Sequence, residues 1–84
     1  MEQSIQVPDN LNIIGAIIRN DWKKIYFGAE PYLKAMESLN RITDNYYEDT
    51  GETIVRYFLG NAQSWRGPTA KAVKDKLNAM LKTV

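Results

Sequence analysis

The side chains able to do chemistry here are carboxylates, lysines, arginines and aromatic rings, because the 84 residues include neither His nor Cys. That excludes a Ser/Cys–His nucleophile, a zinc site with imidazole or thiolate ligands, and an imidazole proton shuttle. The densest oxygen-ligand stretch is Asp44-Asn45-Tyr46-Tyr47-Glu48-Asp49-Thr50-Gly51-Glu52. Ca²⁺ or Mg²⁺ would want such ligands, but the spacing fails. With Gly51 as the turn glycine of an EF-hand, the first and twelfth positions fall on Tyr46 and Tyr57, which are not carboxylates. Acid–base catalysis by two carboxyls needs one of them raised by burial, and these acids lie in polar loop or on outward stripes. The five glycines are scattered at 15, 28, 51, 60 and 67, so no phosphate-cradling loop forms. The expectation is a chain that is not an enzyme and carries no metal or cofactor.

Binding remains. Lys+Arg number 11 against 10 Asp+Glu, for a net charge of +1, but the order is uneven. Residues 30–52 hold Glu30, Glu37, Asp44, Glu48, Asp49 and Glu52 against Lys34 and Arg41, a net of −4. Residues 66–84 hold Arg66, Lys71, Lys74, Lys76 and Lys82 against Asp75, a net of +4. Such a dipolar domain can fold its halves against each other or turn one face to a charged partner. Five Tyr and two Trp exceed the needs of a small core. Tyr46 and Tyr47 fall in the polar loop, and Trp65 precedes Arg66 at a turn. Since Tyr, Trp and Arg anchor interfaces, Tyr46, Tyr47, Trp65 and Arg66 are the candidate protein contacts. The partner would be another protein or a second copy in a homodimer. The alternative is a small nucleic-acid-binding regulator using Arg66, Lys71, Lys74 and Lys82 on phosphates. Only Asn78 is offered to base edges, and a net +1 is weak for that role.

These residues need elements to position them. Residues 1–8, ending in Val7-Pro8, read as a flexible arm. Leu11, Ile14, Ile17/Ile18, Trp22 and Ile25 recur at helical steps, so a first helix is expected over about 9–25 with Asp9 as its cap. Gly15 and Ala16 would let a neighbouring backbone approach it. Pro31 opens a second helix, about 30–41, whose inward stripe is Tyr32, Ala35/Met36, Leu39 and Ile42. Glu30, Lys34, Glu37 and Arg41 form a solvated charge ladder along it. A third helix is expected over about 50–65, capped by Asp49 with Glu52, its inner side being Ile54, Val55, Phe58, Ala62 and Trp65. A rival strand over 53–59 would place Arg56 among the apolar residues of one face, which favours the helix. Pro68 starts the last helix, about 68–82, with Ala70, Val73, Leu77 and Met80/Leu81 inward. The expected fold is a single all-α domain, a compact bundle of four short helices. The longest apolar stretch, Leu11 to Ile18, is too short to span a bilayer, and the start of the chain is acidic, so a cytoplasmic protein with no membrane partner is expected.

Overall fold

A computed structural model describes residues 6–84 of the chain. Along it run α1 (Leu11–Asp21), α2 (Glu30–Met36), β1 (Asn45–Tyr46), β2 (Asp49–Thr50), α3 (Gly51–Gly60) and α4 (Pro68–Leu81). The fold is therefore mainly helical but not purely so. β1 and β2 pair antiparallel, Asn45 with Thr50 and Tyr46 with Asp49, around a two-residue loop at Tyr47-Glu48. The strand alternative for 53–59 gives way to helix, and the strands lie instead in the polar connection before it.

Each helix but the last is shorter than its apolar pattern suggests, for reasons of hydrogen bonding. The α1 cap is Asn10 and not Asp9: its Oδ1 accepts from the Asn12 and Ile13 amides at 2.8 and 3.3 Å. Asp9 pairs with Lys76 of α4 instead. At the other end Trp22 turns to φ −90°, ψ 93° and leaves the helix. Its ring then stacks on Trp65 at 5.7 Å and meets the edge of Phe58 at 6.2 Å. The second helix stops at Met36 because the start of α1 claims the carbonyls beyond it. The Leu11 amide donates to the Asn40 carbonyl at 3.0 Å, and the Asn12 side-chain amide to that of Glu37. In α3 the cap is Thr50, whose hydroxyl accepts from the Thr53 amide at 3.2 Å, and not Asp49. That helix ends at Gly60, and successive turns carry Ala62 and Trp65 back to the core.

The apolar stripes converge on one core. Leu11, Ile14 and Ile18 of α1 meet Leu33 and Met36 of α2, Val55 and Phe58 of α3, and Val73 and Leu77 of α4, all of them sealed from solvent. Each such side chain contributes on the order of 1.5–3 kcal/mol through burial. Gly15 lies where α1 crosses the end of α2: a Cβ there would stand 3.7 Å from the Glu37 backbone and closer still to its side chain. The expected close approach is thus made by the turn after α2. Within the described residues no polar or charged side chain is buried, and Val7 packs against the core from the segment read as a flexible arm. Residues 1–5 of that arm lie outside the described part. Ile13 of α1 is 48% exposed.

The charge ladder of α2 is also rearranged. Rather than pairing along their own helix, Glu30 and Glu37 both take Arg19 of α1, at 2.6 and 2.7 Å. One guanidinium therefore straddles the two ends of α2. Arg19 is held well above its ordinary value by its hydrogen bonds to Glu30 and then Glu37, and Glu30 is held below its own by Arg19. No described helix is long and apolar enough to cross a membrane.

Candidate protein-binding surface

The four expected contact residues do not form one patch. Tyr46 and Tyr47 sit in the hairpin that feeds the N-terminus of α3, while Trp65 and Arg66 follow its C-terminus. Ten helical residues separate them, about 15 Å of axis. Trp65, expected both on the inner side of the third helix and in the contact patch, is core: it is 2% exposed, stacks on Trp22, and donates its indole N–H to Asp21 at 2.9 Å. Its place beside a charged turn resembled an interface anchor, but the indole closes the end of the bundle. Arg66 is exposed. Tyr46 is half-buried against the core, and Tyr47 is 88% exposed at a φ of 57°.

The structure adds rings that sequence reasoning missed. Phe27 is 80% exposed and its ring lies 4.9 Å from that of Tyr26. The Tyr26 ring lies against Gly28 beside the Asn61 side chain, whose amide donates to the Tyr57 carbonyl at 2.8 Å. The Tyr57 ring lies 5.4 Å from the Tyr32 ring of α2. Phe27–Tyr26 and Tyr57–Tyr32 thus make two ring pairs on the α2–α3 side, with Asn61 between Tyr26 and the Tyr57 backbone. Beside Tyr26 lies a shallow depression of about 330 Å³, continued by Gly60, Asn61, Gln63 and Ser64. Helical spacing could have revealed Tyr57, which stands about 100° from Phe58 and about 160° from Val55. No local signal marks Phe27, since an aromatic before a helix-ending glycine is as easily folded inward.

The basic candidates divide. Lys71 is tied to Asp75 at 2.8 Å, which raises its pKa. Lys74 donates to the Trp65 carbonyl at 2.6 Å with its ammonium 6.0 Å from the indole centre. Burial and then the nearby Arg66 lower its pKa. Lys76 is the partner of Asp9. Among the described residues, Arg66 and Lys82 make no such side-chain bond. The acids are likewise used locally: Asp44 accepts from the Asn40 and Arg41 amides at 3.0 and 2.9 Å, and Glu52 holds Arg56 at 2.9 Å. No ion pair links the acidic block 30–52 to the basic block 66–84 in the described residues, so the two halves do not neutralise each other by direct contact. Nor do three or more carboxylates converge there as a metal would need.

No protein-family model, curated protein or solved structure matches the chain.

Proposed function

We propose that the chain is a small non-catalytic protein-interaction module, an accessory or regulatory factor of the cytoplasm that docks through its α2–α3 face. The observation that carries this reading is the two ring pairs, Phe27–Tyr26 and Tyr57–Tyr32, left partly or largely in solvent. Tyrosines so placed supply wide contact area at the cost of ordering few torsions, which is why they recur in interfaces. Phe27 in particular, at 80% exposure, adds nothing to the core.

The test is capture from native lysate by the tagged chain and by its Phe27→Ser/Tyr57→Ser variant. The variant is expected to keep its helical circular dichroism and lose the captured protein. Equal capture by both chains would overturn the reading. The nucleic-acid alternative draws support only from Arg66 and Lys82, the other three cations of the basic block being engaged within the chain. It predicts binding to random duplex DNA at about 50 mM salt that falls steeply as salt rises.

A further inference from the structure

We infer that the α2–α3 face takes a second copy of the same chain, in a two-fold dimer whose two α3 helices lie antiparallel. The inference rests on the reading above that this face binds protein, and deepens it by naming the partner's chemistry. Three observations converge on it.

The first is where the two charge clusters sit. At the N-terminal end of α3 the hairpin presents Glu48 and Asp49, both exposed. Beyond its C-terminal end, the Trp22–Trp65 stack gathers two turns that carry Lys23, Lys24 and Arg66, all three exposed. The acids near these turns are Asp21 and Asp75, which hold the Trp65 indole and Lys71. One helix therefore has an acidic hairpin before its start, with Arg41 beside it, and basic turns beyond its end, about 15 Å apart along its axis. Two copies laid antiparallel put each acidic hairpin on the other's basic turns, whereas parallel copies set like on like. A contact in which end one meets end two and end two meets end one is self-complementary and closes at two.

The second is what lies between the ends. Thr53, Arg56, Tyr57 and Gly60 form the outward stripe of α3. Arg56 is neutralised by Glu52 of its own helix at 2.9 Å, so the middle carries no unpaired charge to desolvate. Gly60 is open, with no atom within 4 Å of where a Cβ would stand, which lets a second backbone come near. Tyr57, 54% exposed, stands close to the middle of the helix, where a two-fold axis would bring it against its own copy.

The third is Tyr47. A side chain at φ 57° is strained, and this one, edge-on to Tyr46, is still 88% exposed, so packing within its own chain repays little of the strain. Projecting from the acidic hairpin, it is placed to meet the Tyr26 and Phe27 rings at the basic end of the other copy.

The experiment is sedimentation velocity of the full chain from about 10 µM to 1 mM at low salt. A reversible dimer is expected, weakening at about 0.5 M salt as the screening length shrinks to a few ångströms. Lys23→Glu/Lys24→Glu makes both ends acidic and Glu48→Lys/Asp49→Lys makes both ends basic. Each alone should dimerise about tenfold or more weakly, because like charges then face each other. Mixed in equal parts the two should recover the wild-type mass, since every contact is again between opposite charges. Tyr57→Ser, which changes no charge, should also weaken the dimer while helical content is retained. A wild type that stays monomeric, swapped variants that dimerise normally, a mixture that stays dissociated, or assemblies that grow beyond two would each overturn the inference. If the chain is monomeric but Phe27→Ser/Tyr57→Ser still loses a captured protein, protein binding stands and the second copy falls. If the dimer forms and no other protein is captured, self-association is the whole of the binding function.

Discussion

At its N-terminal end α3 is fastened by backbone, and at its C-terminal end by aromatic rings. Before the helix, the Gly51 amide donates to the Asp44 carbonyl at 2.7 Å, Asp44 caps the Asn40 and Arg41 amides, and Thr50 caps α3 itself. Residues 47–50 are all exposed, so little apolar surface holds that hairpin. After the helix, Trp22, Phe58 and Trp65 are buried against one another, and Lys74 covers Trp65. The hairpin end should accordingly be sensitive to backbone geometry and carboxylate charge, and the tryptophan end to lost volume.

The largest effects test that contrast by breaking each end in its own way. Trp65→Ala should cost about 3–5 kcal/mol, the usual range for a large aromatic cut from a core. At the hairpin end a single methyl should be felt. An added Cβ at Gly51 would stand 2.6 Å from the Ile42 carbonyl oxygen and 2.9 Å from its carbon, both backbone atoms that cannot rotate aside. Gly51→Ala should cost roughly 2–3 kcal/mol. Gly60→Ala, on the same helix but in open space, should be neutral or gain up to about 1 kcal/mol from helix propensity. Thermal melts of the three variants check this, and equal loss from Gly51→Ala and Gly60→Ala would mean that the Ile42 contact is not what matters.

Those ends also differ in how far the sequence foretold them. The core was largely legible, because Ile14, Ile18, Met36, Phe58, Val73 and Leu77 each declare a helical stripe and all prove sealed from solvent, though Leu33 is sealed where the stripe named Tyr32, which is half-buried. The hairpin was not, because two-residue strands have no periodicity to read, and Tyr47-Glu48 lacks the Asn-Gly or Gly-X signature of a two-residue loop. Helix limits slipped where a partner element claimed the carbonyls, as α1 does at Glu37 and Asn40. On the surface, charge blocks were readable and the ring pair of Tyr32 and Tyr57 was not, since it forms across twenty-five positions of sequence. Trp65 reads both as an inner residue of the third helix and as an interface anchor, and the fold turns its ring inward.

A smaller effect separates the ends by pH. Asp44 is held below its ordinary value by hydrogen bonds from the Arg41 and then the Asn40 amides, and Glu30 by Arg19. A carboxyl with a depressed folded value stabilises above its unfolded value, and the contribution is lost as pH falls through the folded one. Below about pH 4 the hairpin end should therefore loosen first, because the packing of Trp22 on Trp65 rests on apolar contact. Amide exchange at Asn40 and Arg41 should rise while tryptophan emission is unchanged, and Asp44→Ala should show the fast exchange already at neutral pH. A shared midpoint for both signals would mean that acid unfolds the molecule as one unit.

The smallest effect on stability is expected where function is expected to be largest. Tyr47 is the first central residue of the hairpin loop, a position at φ 57° where glycine is usual. Tyr47→Gly relieves a conformational cost of about 1–2 kcal/mol in the folded state, and glycine's greater freedom when unfolded takes back up to about 1 kcal/mol of it. The ring itself, 88% exposed, touches Tyr46 edge-on at 4.8 Å and gives up little else. The melting temperature should hold or rise slightly. In the same variant the dimer should weaken, because the acidic hairpin has lost the ring that meets the other copy's aromatics. Stability kept with association lost would mark Tyr47 as a residue held in strain for contact. A clear drop in melting temperature would show instead that the edge-on pair with Tyr46 supports the hairpin, and the functional case would then rest on Phe27 and Tyr57.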